Sequence, residues 1–278
     1  MPLDYQKLID RPFAPFTRRY GPADCIRFAQ GFGAGVDPAW AEADHPFLQE
    51  GPDLQALPMA AVALADGEFW PMDPDTGIAW QQIIHAAETL TLHRPLPTAG
   101  SLTVTQRIDE IFDRGAERGA ELVQVLHLHD EHGNAAASIE VSMILRGNGG
   151  FGGRANDRPR PAPLPQRPAD EVLLIKTPTA DDTPFRLSAE ISVAAENPQP
   201  MIRGLGCFGL AGRGVLKLLC GNQPAKLRSL GVRYAGPMFV GETMRLEVWK
   251  QEPGHAVFRM HAVERDVPVL GYGSASFD

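Results

Sequence analysis

The chain has 278 residues, 44% hydrophobic and 22% charged, and carries a formal net charge of −8 at pH 7. That length suits two ordinary domains or one fused double domain with a sizeable core, and the acidic balance argues against a nucleic-acid partner, because phosphate binding needs a surplus of Lys and Arg. Three scattered cysteines, Cys25, Cys207 and Cys220, offer neither a disulfide framework nor Cys-x-x-Cys metal spacing, which points to a reducing, cytoplasmic setting.

The N-terminal residues lack the basic and apolar regions of a signal peptide, and no apolar run approaches the roughly 18 residues of a membrane span. Residues up to about Arg19 read as a Pro-bearing lead-in. Asp24–Gln30 has helical apolar spacing and runs into Gly31-Phe-Gly-Ala-Gly35. A dinucleotide loop would need a strand before those glycines and a helix after them, so a helix C-cap leading into a loop is the better account. Leu54–Ala65 is almost wholly apolar and reads as a buried helix with Pro58 near its first turn. Strand patterns follow at Ile84–Leu92, Leu102–Phe112, Glu121–His129 and Ala135–Leu145, the last two joined by the hairpin signal Asp130-Glu-His-Gly-Asn134.

The same order then recurs. A helical pattern at Leu205–Cys220 precedes strand patterns near Leu227–Tyr234, Thr243–Gln251, Ala256–Glu264 and Val269–Phe277. Between the halves, Arg154–Pro168 carries Pro159, Pro161, Pro163, Pro165 and Pro168, a density that favours an extended linker. The expected domains are therefore 1–153, a linker at 154–168, and 169–278. The second helix, beginning near Gly204, holds Gly204, Gly206, Gly209, Gly212 and Gly214. Each interior Gly costs about 1 kcal/mol relative to Ala, so something must approach this backbone closely, either a surrounding sheet or a ligand at the helix N-terminus.

Phe185-Arg-Leu-Ser188 followed by Pro200-Met-Ile-Arg-Gly-Leu-Gly-Cys-Phe-Gly209 resembles the signature of the MaoC-like family, which includes the (R)-specific type 2 enoyl-CoA hydratases. Leu54-Gln-Ala-Leu-Pro58, His85–Pro97 and Arg146–Gly153 are similar to segments of that family's non-catalytic half, and Pro237–Thr243 to its closing strand entry. The resemblance implies an α+β double hotdog, two antiparallel sheets each wrapped around a long central helix. It implies reversible hydration of trans-2-enoyl-CoA to (R)-3-hydroxyacyl-CoA, with a CoA thioester as substrate and no cofactor. The acyl chain is expected in a tunnel between the halves. The family's Asp and His, which hold the attacking water, do not stand here: Ala189-Glu190 replaces Gly-Asp, Arg203 replaces a later His, and the Asn-Pro-Leu-His-x-Asp-Pro segment is missing after Ile191.

Two rivals come with that departure: an acyl-CoA-binding or scaffold subunit without turnover, and a hotdog thioesterase. The expected partners are an acyl-CoA ligand and either a second copy of the chain or an active paralogue.

Glu190 occupies the family's acidic position, beside the reading of a surface carboxylate on a shortened loop. The resemblance makes the Gly204 N–H the donor to the thioester carbonyl oxygen, where the free amides and positive end of a helix suit developing enolate charge. Arg146 with Gly149, Gly150, Gly152 and Gly153 could cradle CoA phosphates or serve only as a tether. Arg203 could offer a charged donor or point to solvent. His127, His129 and His132 read as exposed hairpin histidines rather than metal ligands. His85 and Glu88 have a spacing that would suit a helix, but the resemblance places them near a strand start.

Overall fold

Alternation of buried and open positions along successive runs, such as Ala120–His129, makes strands the dominant element. The computed structural model describes residues 3–178, 185 and 200–278. The N-terminal half comprises α1 (Tyr5–Ile9), β1 (Phe16–Tyr20), α2 (Pro22–Gly31), α3 (Ala41–Leu48), α4 (Ala60–Ala65), β2 (Ile83–Leu92), β3 (Gly100–Asp113), β4 (Ala120–His129) and β5 (Ala135–Leu145). The C-terminal half follows with β6 (Glu171–Lys176), β7 (Met201–Ile202), α5 (Gly204–Cys220), β8 (Leu227–Tyr234), β9 (Met238–Phe239), β10 (Thr243–Lys250), β11 (His255–Ala262) and β12 (Val267–Phe277).

The two expected sheets meet edge to edge as one. β2 pairs antiparallel with β8, from Ala87↔Arg233 to Thr91↔Ser229, and this seam joins the halves into a ten-stranded sheet in the order β1-β3-β4-β5-β2-β8-β12-β11-β10-β6. β1 and β6 are its open edges. β1 lies inside the expected lead-in, where its exposed Thr17, Arg18 and Arg19 conceal a strand in the sequence.

The long central helix of the N-terminal half is also corrected. Only Ala60–Ala65 is helical there, six residues rather than the whole of Leu54–Ala65. Pro58 is the reason: its ring disfavours helical backbone at Leu57, so Leu54–Leu57, buried but for Gln55, stays irregular and the helix starts after the proline. The first residues after the N-terminal half are anchored to it. Arg154 donates to Glu110, Asn156 to Glu121 and Arg158 to Asp109, so the proline-rich stretch starts against the outer face of the N-terminal strands.

The 17-residue α5 is buried along nearly its whole length. Its glycines are explained by what lies against them. A β-carbon at Gly209 would sit 1.9 Å from Phe32 Cδ1, and one at Gly214 would sit 2.5 Å from Leu246 Cδ2. Close approach by α2's end and by the sheet, rather than a ligand, thus sets the glycine spacing in the body of the helix. Arg213, also on α5, is buried in an ion pair with Asp44 at 2.6 Å and donates to the Phe32 carbonyl at 3.0 Å. Asp44 in turn accepts from the Gly35 amide at 2.8 Å. The whole N-terminal segment is so fastened over the helix.

Gly209→Ala tests the packing. In an exposed helix the change would stabilise by about 1 kcal/mol. Here the methyl meets the Phe32 ring, and the expected outcome is a loss of about 1–3 kcal/mol, measured as a lower urea midpoint at unchanged slope.

Candidate functional site at the start of α5

Arg203 is the N-cap of α5, in extended backbone at φ −57° and ψ 153°. Its amide donates to the Phe185 carbonyl at 2.7 Å, and its own carbonyl accepts from Gly206 and Cys207 at 2.9 and 3.2 Å. Among the described residues the amides of Gly204 and Leu205 have no acceptor. Among the described residues, two donors at the end of a long helix thus stand open, together with the positive end of its dipole.

One wall of this end comes from β2. On a regular strand, residues with His-x-x-Glu spacing point to opposite faces, because the side-chain period is two. Between His85 and Ala87 the ladder slips: His85 pairs with Met143 and Ala87 with Ser142, so Ala86 is an extra residue. The bulge puts His85 and Glu88 two ladder steps apart and turns both toward α5. Glu88 then shares the inward row with Leu90 and Leu92, and is only 3% exposed.

From the other half, Tyr234 at the end of β8 closes the cluster. Its hydroxyl lies 3.0 Å from Glu88 Oε2 and 3.0 Å from the Gly204 carbonyl oxygen. The His85 ring packs on the Tyr234 ring at 4.6 Å between centroids. Its Nε2 is 3.8 Å from Glu88 Oε2, beyond hydrogen-bond reach, and is buried without a partner among the described residues. A β-carbon at Gly204 would lie 2.9 Å from His85 Nδ1, so glycine here lets the ring meet the first helical residue.

Burial governs the protonation states. It pushes the Glu88 carboxyl up to about 7; the Tyr234 bond pulls down, Asp66 pushes up and Arg203 pulls down by lesser amounts. Burial also holds His85 down at about 4, against an upward pull from the Ala87 backbone and with a further lowering by Arg203. Desolvation raises the Tyr234 phenol well above its ordinary range, and the Cys207 thiol goes the same way. The ordinary order of the two groups is inverted, so between about pH 4 and 7 both His85 and Glu88 are uncharged.

The residues expected from sequence are distributed unevenly around this cluster. Gly204 is in it. Arg203 stands beside it, 40% exposed and paired with Asp66 at 3.0 Å. Glu190 lies outside the described residues. Arg146 is exposed, just past the end of β5, whose Leu145 pairs with Ile83 near the His85 end of β2. In the loop after it, Gly150 and Gly152 donate their amides to the Asp113 carboxylate at 2.8 and 2.7 Å, so these donors are engaged within the chain. Gly149 and Gly153 are partly exposed in the same loop.

His127 meets the Ser138 hydroxyl at 3.1 Å, and among the described residues no cluster suited to a metal occurs. A cleft of about 420 Å³ opens between the halves, lined by Leu54–Ala56, Pro95–Thr98 and Gln223–Ala225. It lies past the C-terminal end of α5, roughly 25 Å of helix away from Gly204. Glu88, His85 and Tyr234 were missed as a group, and only a bulge that no residue pattern announces brings the first two together.

Residues 19–147 match the profile of the MFE-2 hydratase 2 N-terminal domain. The chain is 32% identical to 3-hydroxyacyl-thioester dehydratase Y of Mycobacterium tuberculosis, over 91% of this chain and 89% of that one. It is 26% identical to a probable enoyl-CoA hydratase 2 of Dictyostelium discoideum, covering 99% of this chain and 97% of the relative. The crystal structure of a MaoC-like dehydratase from Phytophthora capsici superposes with a TM-score of 0.83 at 23% identity, over 99% and 98% of the two chains. The chain belongs to the MaoC-like hotdog dehydratase family.

Arg203 offers a check on the electrostatics. Its positive charge holds the His85 pKa down. Arg203→Gln should therefore move the His85 titration upward, read from its ring proton resonances; a downward move would contradict the geometry.

Proposed function

We propose that the chain binds CoA thioesters with the carbonyl oxygen on the free amides at the start of α5, and that it adds water reversibly across a trans-2-enoyl-CoA. The observation that carries this reading is that the amides of Gly204 and Leu205, at the N-terminus of the buried helix of a family member, find no acceptor among the described residues. Those donors face the place where charge develops when the α-carbon gains or loses a proton. A preorganised donor of this kind is worth roughly 10²–10³-fold in rate. The thioester is the substrate, and the chemistry calls for no cofactor.

Turnover is expected to be slow. Hydration needs one group to take a proton as water attacks the β-carbon and one to deliver a proton to the α-carbon. The sequence lacks the Asn-Pro-Leu-His-x-Asp-Pro segment after Ile191 and carries Glu190 at the acidic position. General acid–base assistance is worth roughly 10²–10⁴-fold, so its weakening dominates the rate. A second reading, acyl-CoA binding without turnover, draws on that same departure. The exposed Arg146 at the rim is proposed to meet the CoA phosphates, and three free, buried cysteines accord with a reducing compartment.

Crotonyl-CoA separates the readings. Hydration removes the enoyl absorbance without releasing thiol, thioester hydrolysis releases thiol, and a binding subunit does neither while still giving heat in calorimetry. Two variants isolate the donor. Gly204→Ala keeps the amide and adds a β-carbon, whereas Gly204→Pro removes the amide at the helical position where proline is best tolerated. Expected is a turnover roughly 10²–10³-fold lower in the proline variant than in the alanine one. Equal rates would place the carbonyl elsewhere.

Glu190→Asp alone should leave the rate low, since the family's His is still missing. Robust hydration by the unaltered chain that vanishes in Glu190→Gln would show instead that Glu190 carries the proton transfer.

A further inference from the structure

The phenol of Tyr234 has one proton and two acceptors at equal distance, Glu88 Oε2 and the Gly204 carbonyl, each at 3.0 Å. Both contacts can be full hydrogen bonds only if the proton between Tyr234 and Glu88 belongs to Glu88. A carboxylic acid donates to the phenol oxygen, and the phenol proton is then free for Gly204. An ionised Glu88 would claim the phenol proton and leave Gly204 without it.

We propose that Glu88 is a positioning residue that works as a neutral acid: it donates to Tyr234, Tyr234 donates to the Gly204 carbonyl, and this relay fixes the first turn of α5 whose amides receive the thioester carbonyl. The inference rests on the thioester reading for its functional consequence and on geometry alone for the relay.

The surroundings agree. Among the described residues the titratable or charged groups facing Glu88 are His85 on its own strand, Tyr234 on β8, Cys207 on α5, Asp66 after α4 and Arg203 before α5. Arg203 pulls the Glu88 carboxyl down, but it is paired to Asp66 and partly exposed, and its pull is the lesser one beside burial. His85 is the other candidate counter-ion. At 3.8 Å and without a hydrogen bond, an ion pair there would have to overcome the desolvation of both partners with poor geometry, and the uncharged arrangement wins. Burial, which holds Glu88 up at about 7 and His85 down at about 4, expresses the same balance.

The sign of the pH effect follows. An unfolded glutamate loses its proton near 4.5, whereas native Glu88 keeps it to about 7, so through that window the native state binds more protons and this residue's contribution falls as pH rises. His85 acts in the opposite direction between about 4 and 6.5, because the native ring stays neutral where the unfolded one is charged. The overall stability profile therefore hides the effect, and a variant must subtract the histidine.

Glu88→Gln does so. Its amide donates to the Tyr234 oxygen at every pH and mimics the acid. In the ligand-free protein, the variant should melt together with wild type below pH 5 and above it in temperature at pH 8. The second measurement is calorimetry, from pH 5 to 9, with a ketone analogue of butyryl-CoA in which methylene replaces the thioester sulfur. Wild-type affinity should fall about 2–10-fold through a midpoint near pH 7, the worth of one hydrogen bond.

Glu88→Gln should hold the tight affinity throughout, and Tyr234→Phe should be weak at all pH values. A melting difference that does not change between pH 5 and 8 overturns the relay. So does a wild-type affinity that is flat through pH 7. No binding at any pH would sink the thioester reading instead, and the melting comparison would still decide the relay.

Discussion

The close approach of other elements to the backbone of α5 is the constraint from which the rest of the structure follows. A helix that carries glycine at five positions is intrinsically poor, at about 1 kcal/mol for each relative to alanine. It forms because Phe32, Met59, Leu246 and Ile175 fill the space that side chains would have taken. Those residues come from the segment after α2, the stretch before α4, β10 and β6, so both halves of the chain must be in place for the helix to be stable. Its N-terminus is consequently a fixed point of the molecule rather than a fraying end. Two amides that find no acceptor among the described residues can be held there at low cost because the turns that follow are locked.

Two buried polar groupings touch this helix, and they differ in a way that assigns them different work. Arg213 and Asp44 form a direct ion pair whose remaining hydrogen-bonding capacity goes to the Phe32 carbonyl and the Gly35 amide. That is how a buried charge pair is made tolerable, and it fastens the N-terminal segment over the helix. Near Gly204 the arrangement is incomplete: among the described residues His85 Nε2 has no partner, and the hydrogen bond of Glu88 there is to a phenol. Unsatisfied and neutralised groups cost stability, and they are retained where the free valence faces a helix end with open donors.

Much of the fold was legible because it rests on periodicities. β2 to β5, β8, β10 to β12 and α5 fall within a few residues of their hydrophobic patterns, since alternation and helical spacing are imposed by the burial of one face, whereas β6, β7 and β9 were not read from the sequence. What was not legible has physical causes. β1 has no apolar row to reveal it, and α4 is short because Pro58 controls the residue before it, an effect that an apolar count ignores. The merging of the two sheets depends on edge pairing between β2 and β8, which leaves no mark on either strand alone. At the site, Gly204 was recognisable from a motif. His85 and Glu88 were not, because a regular strand puts them on opposite faces and the bulge at Ala86 is a property of the ladder. The glycines after Arg146 looked like free donors; a carboxylate far from them in sequence, Asp113, occupies two of them.

The seam between the halves is also the reason the site is composite. β2 supplies His85 and Glu88, while α5 and β8 supply Gly204, Cys207 and Tyr234. β2 and β8 are the two strands that close the ten-stranded sheet, and Glu88 lies opposite Val232 in that pairing, two residues from Tyr234. A hydrogen bond between Tyr234 and Glu88 thus crosses the joint that makes one molecule of two modules. Any change that slides one sheet against the other by a single register step would turn Glu88 from the core to solvent and break the link to Gly204 together with the seam. The arrangement couples the integrity of the double fold to the orientation of the helix end that the substrate is proposed to meet. The matched profile, which stops at residue 147, contains one side of that arrangement, and the other side lies wholly in the C-terminal half.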